Sequence, residues 1–192
     1  MIATEYQRMI GDSTHSLPTP SPMLPEKLLY LYAKGERNFS GIDLKNAQLS
    51  LANLSHGLFH GTNFENASLH GADLILADLN RAILIKAKLF GANLSGANLT
   101  EANLNSAFLS YAVLAGACLN HASLKDATLS SGTLCGSQLQ HADLRGANFK
   151  GTDLSSANFF GANLANADLS TAILKDTIMP DGSISDSGEI LI

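Results

Sequence analysis

Tryptophan is absent from the 192 residues of this chain, and aromatic residues make up only 6% of them. Charged residues reach 15%, against about a quarter in an ordinary globular domain. The chain has two cysteines, Cys118 and Cys135, too few for a disulfide framework, so we expect two reduced thiols. It also lacks a run of 18 apolar residues, so we expect no membrane-spanning helix.

Charge and the N-terminal composition narrow the classes of partner. The formal net charge of −5 gives no support for a nucleic-acid-binding surface. Residues 1–22 contain neither the basic region nor the apolar core of a signal peptide. We therefore expect a cytoplasmic protein with no nucleic-acid and no membrane partner.

What the chain has in abundance is a five-residue repeat. Every fifth residue from Phe39 to Leu174, at 28 positions without an insertion, is Leu or Phe. Two residues earlier in each unit, from position 42 to position 172, 21 of 27 residues are Ala. The residue just before the Leu or Phe is most often Asn or Asp.

A period of five suits neither a helix nor a flat strand. On a helix, five residues advance by about 500°, so successive Leu side chains would spread around the axis. On a strand, an odd step turns the side chain to the opposite face. The chain must therefore bend once in each unit if all Leu and Phe side chains are to share one interior.

The repeat resembles the A-[DN]-L-x-x consensus of the pentapeptide repeat family, as in SGANLTEANL at 95–104, and the match covers 37–176. The resemblance implies an all-β fold, a right-handed quadrilateral parallel β-helix in which four units make one coil. The 28 units would then form about seven coils. At a strand spacing of roughly 4.8 Å, the rod would be about 34 Å long.

Turn chemistry agrees with one bend per unit. If the two residues after each Leu or Phe form the corner, a type II turn needs a positive φ at the second of them, which favours Gly or Asn. That position holds ten Gly and three Asn. This composition favours a type II turn at the corner.

The N-terminal segments outside the repeat are expected to be a tail and a cap. Residues 1–24, rich in Ser, Thr and Pro, are expected to be disordered. Residues 25–36 are expected to form a capping helix, because Pro25 suits a first helical turn and Gly35 a C-terminal stop. Its apolar contacts with the first coil are predicted to come from Leu28, Leu29, Leu31 and Tyr32.

Residues 177–192 are expected to form a C-terminal cap or tail, with a Pro-Asp-Gly turn at 180–182. Ile178 and Met179 are candidates to cover the last layer of Leu side chains. The terminal residues either fold back or pair with another chain across an exposed edge. We expect a monomer, with a C-terminal dimer as the alternative. The terminal apolar residues are Ile190, Leu191 and Ile192.

The sequence offers no catalytic or cofactor-binding residues. An interior of Leu, Phe and Ala leaves no polar pocket for a substrate, and there is no G-x-S-x-G, C-x-x-C or phosphate-binding Gly loop. His121 and His141 would lie about 5 Å apart in adjacent coils, next to Glu101, which makes these three residues weak candidates for metal ligands. A solvated polar column is the better interpretation, and we expect no metal site.

The departures from the consensus indicate a candidate protein-interaction patch. Eight apolar residues occupy positions that should face solvent, and Phe90 and Phe108 are expected to lie close together. A contiguous exposed apolar patch commonly marks an interaction surface, although scattered surface apolar residues are ordinary. The eight residues are Ile75, Leu76, Ile83, Ile85, Phe90, Phe108, Tyr111 and Val113.

Two functions remain as hypotheses. The first is a non-enzymatic protein–protein interaction or scaffold module. The chain resembles family members from filamentous photosynthetic bacteria, some of which influence cell differentiation, and this resemblance implies that the module has a regulatory role. The second also comes from the resemblance: some pentapeptide repeat proteins mimic DNA and bind gyrase, protecting it from quinolones. Mimicry needs a strongly acidic surface, yet 37–176 contains ten acidic and nine basic residues. The interaction module is therefore the leading hypothesis.

Overall fold

A short helix, a long run of five-residue units and a small hairpin follow one another along the chain. The computed structural model describes residues 23–185. Helix α1 spans Pro25–Ala33, and strands β1 (Thr177–Ile178) and β2 (Ile184–Ser185) pair antiparallel. The expected tail, apart from its last two residues, lies outside the described residues, as do Ile190, Leu191 and Ile192.

Between α1 and β1 the backbone forms one parallel bridge per unit. Every fifth residue from Asn38 to Asn158 bridges the residue 20 positions further on, so four units make one coil and the coil has four sides. We number the sides 1 to 4 in chain order and name each edge by the two sides that it joins. The sides begin at Asn38, Asp43, Gln48 and Asn53, respectively.

A turn with a left-handed residue separates each side from the next. The second residue after every inward Leu or Phe, from Gly41 to Asp176, has a φ between 54° and 70°. The following amide closes the turn, as where the Ala52 N–H donates to the Leu49 carbonyl at 3.2 Å. A positive φ at this position is the mark of type II geometry, so the corner predicted from the sequence is confirmed.

The Asn and Asp residues before each Leu or Phe serve the same turn. Their Oδ1 atoms accept the backbone N–H two residues further on: Asn63 accepts from Glu65, and Asp73 from Ile75, both at 3.0 Å. Such a bond holds the chain in a tight local turn that longer polar side chains do not support as well. The preference for Asn and Asp at this position therefore has a structural cause.

Leu, Phe and Ala side chains fill the interior of the coils. Every inward Leu or Phe from Phe39 to Phe159 is at most 2% exposed. Burying one such side chain contributes roughly 1.5–3 kcal/mol before the cost of ordering it. Because each coil contacts chiefly its two neighbours, the stabilisation is distributed along the rod.

Four hydroxyl side chains replace buried Ala at the inward position, and they differ in their hydrogen bonding. Thr62, Thr152 and Thr177 donate to carbonyls 23 residues earlier, at distances of 2.7 to 2.9 Å. The buried Ser137 Oγ has no hydrogen-bond partner. An unpaired buried hydroxyl is destabilising, so Ser137 is a weak point in the interior.

Helix α1 packs on the first coils through one face. Leu28 and Tyr32, four residues apart, are buried, whereas Leu29, which the sequence analysis included among the packing residues, is 38% exposed. The Tyr32 ring stacks 5.7 Å from Phe39, and its hydroxyl donates to the Ser55 carbonyl at 2.7 Å. Stacking and a tertiary hydrogen bond thus attach the helix.

Gly57 makes room for this contact. A Cβ atom at Gly57 would lie 2.8 Å from the Tyr32 hydroxyl oxygen and would also overlap the Phe59 ring. Most other units have Ala at this position. The departure from the repeat is therefore explained by the packing of the Phe59 ring and of Tyr32 from α1.

The C-terminal end of the rod is less completely covered. The Met179 N–H donates to the Ser183 carbonyl at 2.8 Å, which closes the hairpin formed by β1 and β2. Leu164 and Leu169 are only partly buried, and Leu169 lines an open cavity of about 400 Å³ together with Leu174 and Met179. Within residues 23–185, no helix has the length and apolar character needed to cross a membrane.

The buried hydroxyls give a prediction with opposite signs at two sites. Ser137→Ala should raise the free energy of unfolding by about 1 kcal/mol, because it removes an unpaired polar group. Thr152→Val should lower it by about 1 kcal/mol, because it removes the bond to the Leu129 carbonyl. Guanidinium denaturation followed by circular dichroism measures both; a lower midpoint for Ser137→Ala would contradict the assignment.

Gly57→Ala should destabilise the protein although it restores the consensus residue. The new Cβ would displace the Phe59 ring and Tyr32, at a cost of about 1–3 kcal/mol for overpacking. Denaturation midpoints of Gly57→Ala, Tyr32→Ala and the double variant test this. The cost of Gly57→Ala should shrink when Tyr32 is already Ala; strictly additive costs would show that the helix contact does not require Gly57.

Candidate protein-interaction surface

The eight apolar residues predicted to form a patch are distributed around the rod. Residues lie above one another only when their numbers differ by 20, and the eight follow several different columns. Ile83 on side 2 and Val113 on side 4 therefore point in opposite directions. The placements are Ile75 and Leu76 on edge 4/1, Ile83 on side 2, Ile85 on edge 2/3, Phe90 and Tyr111 on edge 3/4, Phe108 on side 3 and Val113 on side 4.

Three of the eight are neighbours on side 3 and edge 3/4, and we call Phe90, Phe108 and Tyr111 the aromatic patch. The ring centroids of Phe90 and Tyr111 are 5.2 Å apart. Phe108 precedes Tyr111 by three residues in the same coil, and it bridges Lys88 in the coil below. The three side chains are 50%, 51% and 58% exposed, respectively. They thus form a local apolar surface within a largely polar exterior.

The contacts of the Phe90 ring differ from those expected. Sequence register places Phe90 beside Phe108, but its ring contacts are with Tyr111 and with His70 at 6.5 Å. Phe90 lies on edge 3/4, whereas Phe108 lies on the flat side 3. The Phe90 ring therefore contacts rings of the neighbouring coils along that edge. His70 therefore adjoins the aromatic patch.

Leu51 extends this surface by a further coil and was missed in the sequence analysis. It lies on edge 3/4 with a φ of 60° and is 81% exposed. Its Cδ2 atom covers Gly71 in the next coil, 2.8 Å from where a Cβ would lie. A large apolar residue in a column that also holds Gly71, Gly91 and Gly151 was the available signal.

Ion pairs link neighbouring coils on other parts of the surface. Lys45 pairs with Glu65 and Arg81 with Glu101, both at 2.8 Å. The Arg145 hydrogen bond, supported by Lys125, lowers the pKa of Asp143 to about 2. Exposed pairs of this kind contribute little to stability, and each one neutralises the carboxylate that it contains.

The three weak metal-ligand candidates lie together on edge 1/2, as expected from the register. The His121 and His141 rings stack with centroids 5.2 Å apart and planes 14° apart, while Arg81 holds the Glu101 carboxylate. In stacked rings the nitrogen lone pairs lie in parallel planes and do not converge on one point. Among the described residues, no group of three or more His, Cys, Asp or Glu side chains is arranged to hold a metal ion.

The two thiols are free and belong to the outer surface of the rod. Cys118 lies on side 1 and Cys135 on edge 4/1, and both are half-buried. Burial, together with a hydrogen bond to the Asp153 carboxylate, raises the pKa of Cys135 to about 11. A thiol held in its protonated form is a poor nucleophile, so Cys135 does not suit covalent chemistry.

Comparison with known proteins identifies the class that this geometry defines. A sequence profile of pentapeptide repeats matches in eight copies over residues 37–66, 58–96, 92–130 and 137–176. The chain belongs to the pentapeptide repeat family. Members of this family are structural or binding proteins, and their fold is a right-handed β-helix solenoid.

Individual relatives were found among solved structures. HetL, a pentapeptide repeat protein involved in heterocyst differentiation regulation from the cyanobacterium Nostoc sp. strain PCC 7120, is 33% identical, with 85% of this chain and 100% of HetL covered and a TM-score of 0.35. QnrB1, a plasmid-mediated fluoroquinolone resistance protein, is 20% identical over 78% of this chain and 82% of its own, with a TM-score of 0.52. The likeness to QnrB1 concerns the fold alone.

A third structure is similar over nearly its whole length. Rfr23, a pentapeptide repeat protein from the cyanobacterium Cyanothece 51142, is 21% identical, with 80% of this chain and 99% of Rfr23 covered and a TM-score of 0.42. The comparison with curated proteins gave no match. The family model thus establishes the family, and the partner is to be inferred from the surface of this chain.

The environment of Cys135 predicts slow thiol labelling. In a Cys118→Ser variant at pH 8, Cys135 should react with dithionitrobenzoate about a hundredfold more slowly than in the urea-unfolded protein, because its raised pKa leaves little thiolate. Adding Asp153→Asn should speed the reaction, since the carboxylate favours the protonated thiol. A folded-state rate equal to the unfolded rate would contradict this description of the site.

Proposed function

We propose that this chain is a non-enzymatic protein–protein interaction module with a regulatory role in the cytoplasm. It is a rod of about seven coils, covered at one end by α1 and partly at the other by the hairpin of β1 and β2, and it acts as a monomer. The observation that carries the proposal is the aromatic patch. Its three rings are half-exposed on a surface where Ser, Thr, Asn and Gly prevail.

The chemistry of the patch suits binding to a protein. Aromatic residues are enriched at protein interfaces, because they bury a large area while immobilising few side-chain torsions. Ser110 and Ser130 on the same edge bond each other at 3.0 Å, and Thr128 follows Phe108 on side 3. The rings therefore have a polar border, as the central contacts of an interface commonly do.

The interior supports a binding role over catalysis. Closely packed Leu, Phe and Ala side chains occupy the centre of each coil, and the open cavity at the C-terminal end is lined mainly by Leu, Ala, Ser and Met. That cavity brings one carboxylate, that of Asp168, to its lining, where a hydrogen bond from the Ser170 hydroxyl and an ion pair with Lys150 engage it. We therefore assign no catalytic residue and no cofactor to this chain.

One relative supports the regulatory part of the proposal, and another concerns the alternative function. HetL is described as involved in heterocyst differentiation regulation, and it matches this chain over its full length at 33% identity. The similarity to the fluoroquinolone resistance protein QnrB1 keeps the DNA-mimicking alternative open. Mimicry would need a strongly acidic face, whereas Glu65, Glu101 and Asp143 are all engaged in ion pairs. A gyrase supercoiling assay tests it directly, and inhibition at low micromolar protein would reverse the ranking.

The experiment for the proposed function compares matched surface variants. Affinity-tagged wild-type protein, Phe90→Ser/Phe108→Ser and the control Phe160→Ser are expressed in the source organism, and the captured proteins are quantified by mass spectrometry. Phe160 is 46% exposed on edge 1/2, so it matches the two patch residues in type and exposure. We expect at least one partner to fall more than tenfold with the double variant and to be retained by the control.

The opposite result has a clear meaning. If every protein captured by the wild type is captured equally by Phe90→Ser/Phe108→Ser, the aromatic patch does not bind a partner. Circular dichroism spectra and denaturation midpoints of the three proteins are compared first. Since all three substituted rings are exposed, the spectra should be the same.

A further inference from the structure

Side 3 and edge 3/4 are free of carboxylates over most of the rod. The outward residues of side 3 from Gln48 to Asn148 and of edge 3/4 from Ser50 to Gly151 include neither Asp nor Glu. The chain as a whole has a formal net charge of −5. The surface around the aromatic patch therefore differs in charge from the remainder of the protein.

Two unpaired lysines lie beside the aromatic patch. Lys88 is on side 3, where its backbone bridges that of Phe108, and Lys86 is two residues earlier on edge 2/3. Both side chains are exposed, and within residues 23–185 neither forms an ion pair. Lys45, Lys125 and Lys150, by contrast, all have carboxylate partners.

The dimensions of the surface limit what can occupy it. A stripe of large side chains runs along edge 3/4 through four successive coils and consists of Leu51, His70, Phe90 and Tyr111. At a strand spacing of roughly 4.8 Å, this stripe is about 14 Å long. At roughly 3.3–3.6 Å per residue, four or five extended residues cover that length. A short linear segment of another protein therefore fits, with apolar side chains toward the stripe.

We propose that side 3 and edge 3/4 bind an acidic segment of a partner protein. One or two aromatic or aliphatic side chains of the segment pack on Phe90, Phe108 and Tyr111, and flanking carboxylates pair with Lys86 and Lys88. Charge complementarity of this kind selects the partner and its register, while the buried apolar contact supplies most of the affinity. The inference rests on the proposed function, because it names the class of partner for the same surface.

The surroundings favour an acidic protein segment over a nucleic acid. Single-stranded nucleic acid is held by a continuous basic groove that follows the phosphates. Here two lysines stand between carboxylates on the adjoining surfaces: Glu65 and Asp126 on edge 2/3 and Asp73 on side 4. Two lysines do not make such a groove, so a short protein segment with one or two carboxylates fits this surface better than a phosphate backbone does.

Selection of random 12-residue peptides displayed on phage tests the proposal. Peptides enriched on the wild-type protein should contain an excess of Asp and Glu around an aromatic or Leu residue. The most enriched peptide and its analogue with Asn and Gln in place of Asp and Glu are then synthesised with a fluorescent label. Fluorescence anisotropy should show at least tenfold weaker binding of the analogue, and weaker binding of the acidic peptide as salt rises.

Protein variants assign the binding to this surface. The Lys86→Glu/Lys88→Glu variant should bind the acidic peptide at least tenfold more weakly than the wild type does. The Phe90→Ser/Phe108→Ser variant should show no detectable binding. Lys175→Glu on edge 4/1 is the matched charge control, because Lys175 is exposed and is not among the lysines that form ion pairs in the described part of the chain. This control and Phe160→Ser should bind within twofold of the wild type.

The outcomes separate this inference from the proposed function. Enriched peptides that are apolar without an acidic excess, but lose binding in Phe90→Ser/Phe108→Ser, would overturn the inference and leave the interaction module intact. Peptides indifferent to both double variants would count against both. Failure to enrich any peptide, or tighter lysine-dependent binding of a fluorescent 20-nucleotide oligothymidine, would also overturn the inference.

Discussion

The left-handed residue that recurs at every fifth position is the constraint on which the rest of the rod depends. A residue other than Gly loses roughly 1–2 kcal/mol in this conformation, yet Leu51, Leu76 and Tyr111 all adopt it. The cost is offset because the turn aligns each unit with the next coil. The left-handed residue itself donates across the coils, as where the Leu51 N–H reaches the His70 carbonyl at 2.8 Å. One bend per unit therefore makes both the interior and the inter-coil hydrogen bonds possible.

The same constraint confines functional variation to the surface. The interior accepts Leu, Phe and Ala in fixed positions, and even a hydroxyl there requires a carbonyl partner, which Thr152 has and Ser137 lacks. Outward residues are held at the spacing of the coils with little freedom to rearrange. Two such residues, Phe108 and Lys88, are fixed side by side by their backbone bridge. A surface organised in this way is ordered before a partner arrives, which reduces the entropy lost on binding.

The repeat spacing was sufficient to predict the bend, the turn residue and the interior, because these depend only on backbone geometry and on polarity. The spacing was insufficient to predict contacts in which a side chain reaches a residue of another column or another coil. The contact of Phe90 with Tyr111 crosses between adjacent columns of edge 3/4, and the exposed Leu51 lies over Gly71. Gly57 could not be explained from the consensus either, since the atoms that exclude a Cβ there belong to the ring of Phe59, where most units have Leu, and to Tyr32 in the non-repetitive helix α1.

Energetics distinguishes a binding role for Tyr111 from a folding role. Its left-handed backbone, with a φ of 61°, costs roughly 1–2 kcal/mol, and more than half of its side chain faces water. The ring contact with Phe90 returns about 0.5–1.5 kcal/mol, so the two effects nearly cancel. A Gly in this column would make the same turn without the strain, as Gly91 does one coil earlier. Folding therefore gains little from an aromatic side chain at this position. Binding of a partner that covers the ring would gain the free energy of burying its exposed apolar area.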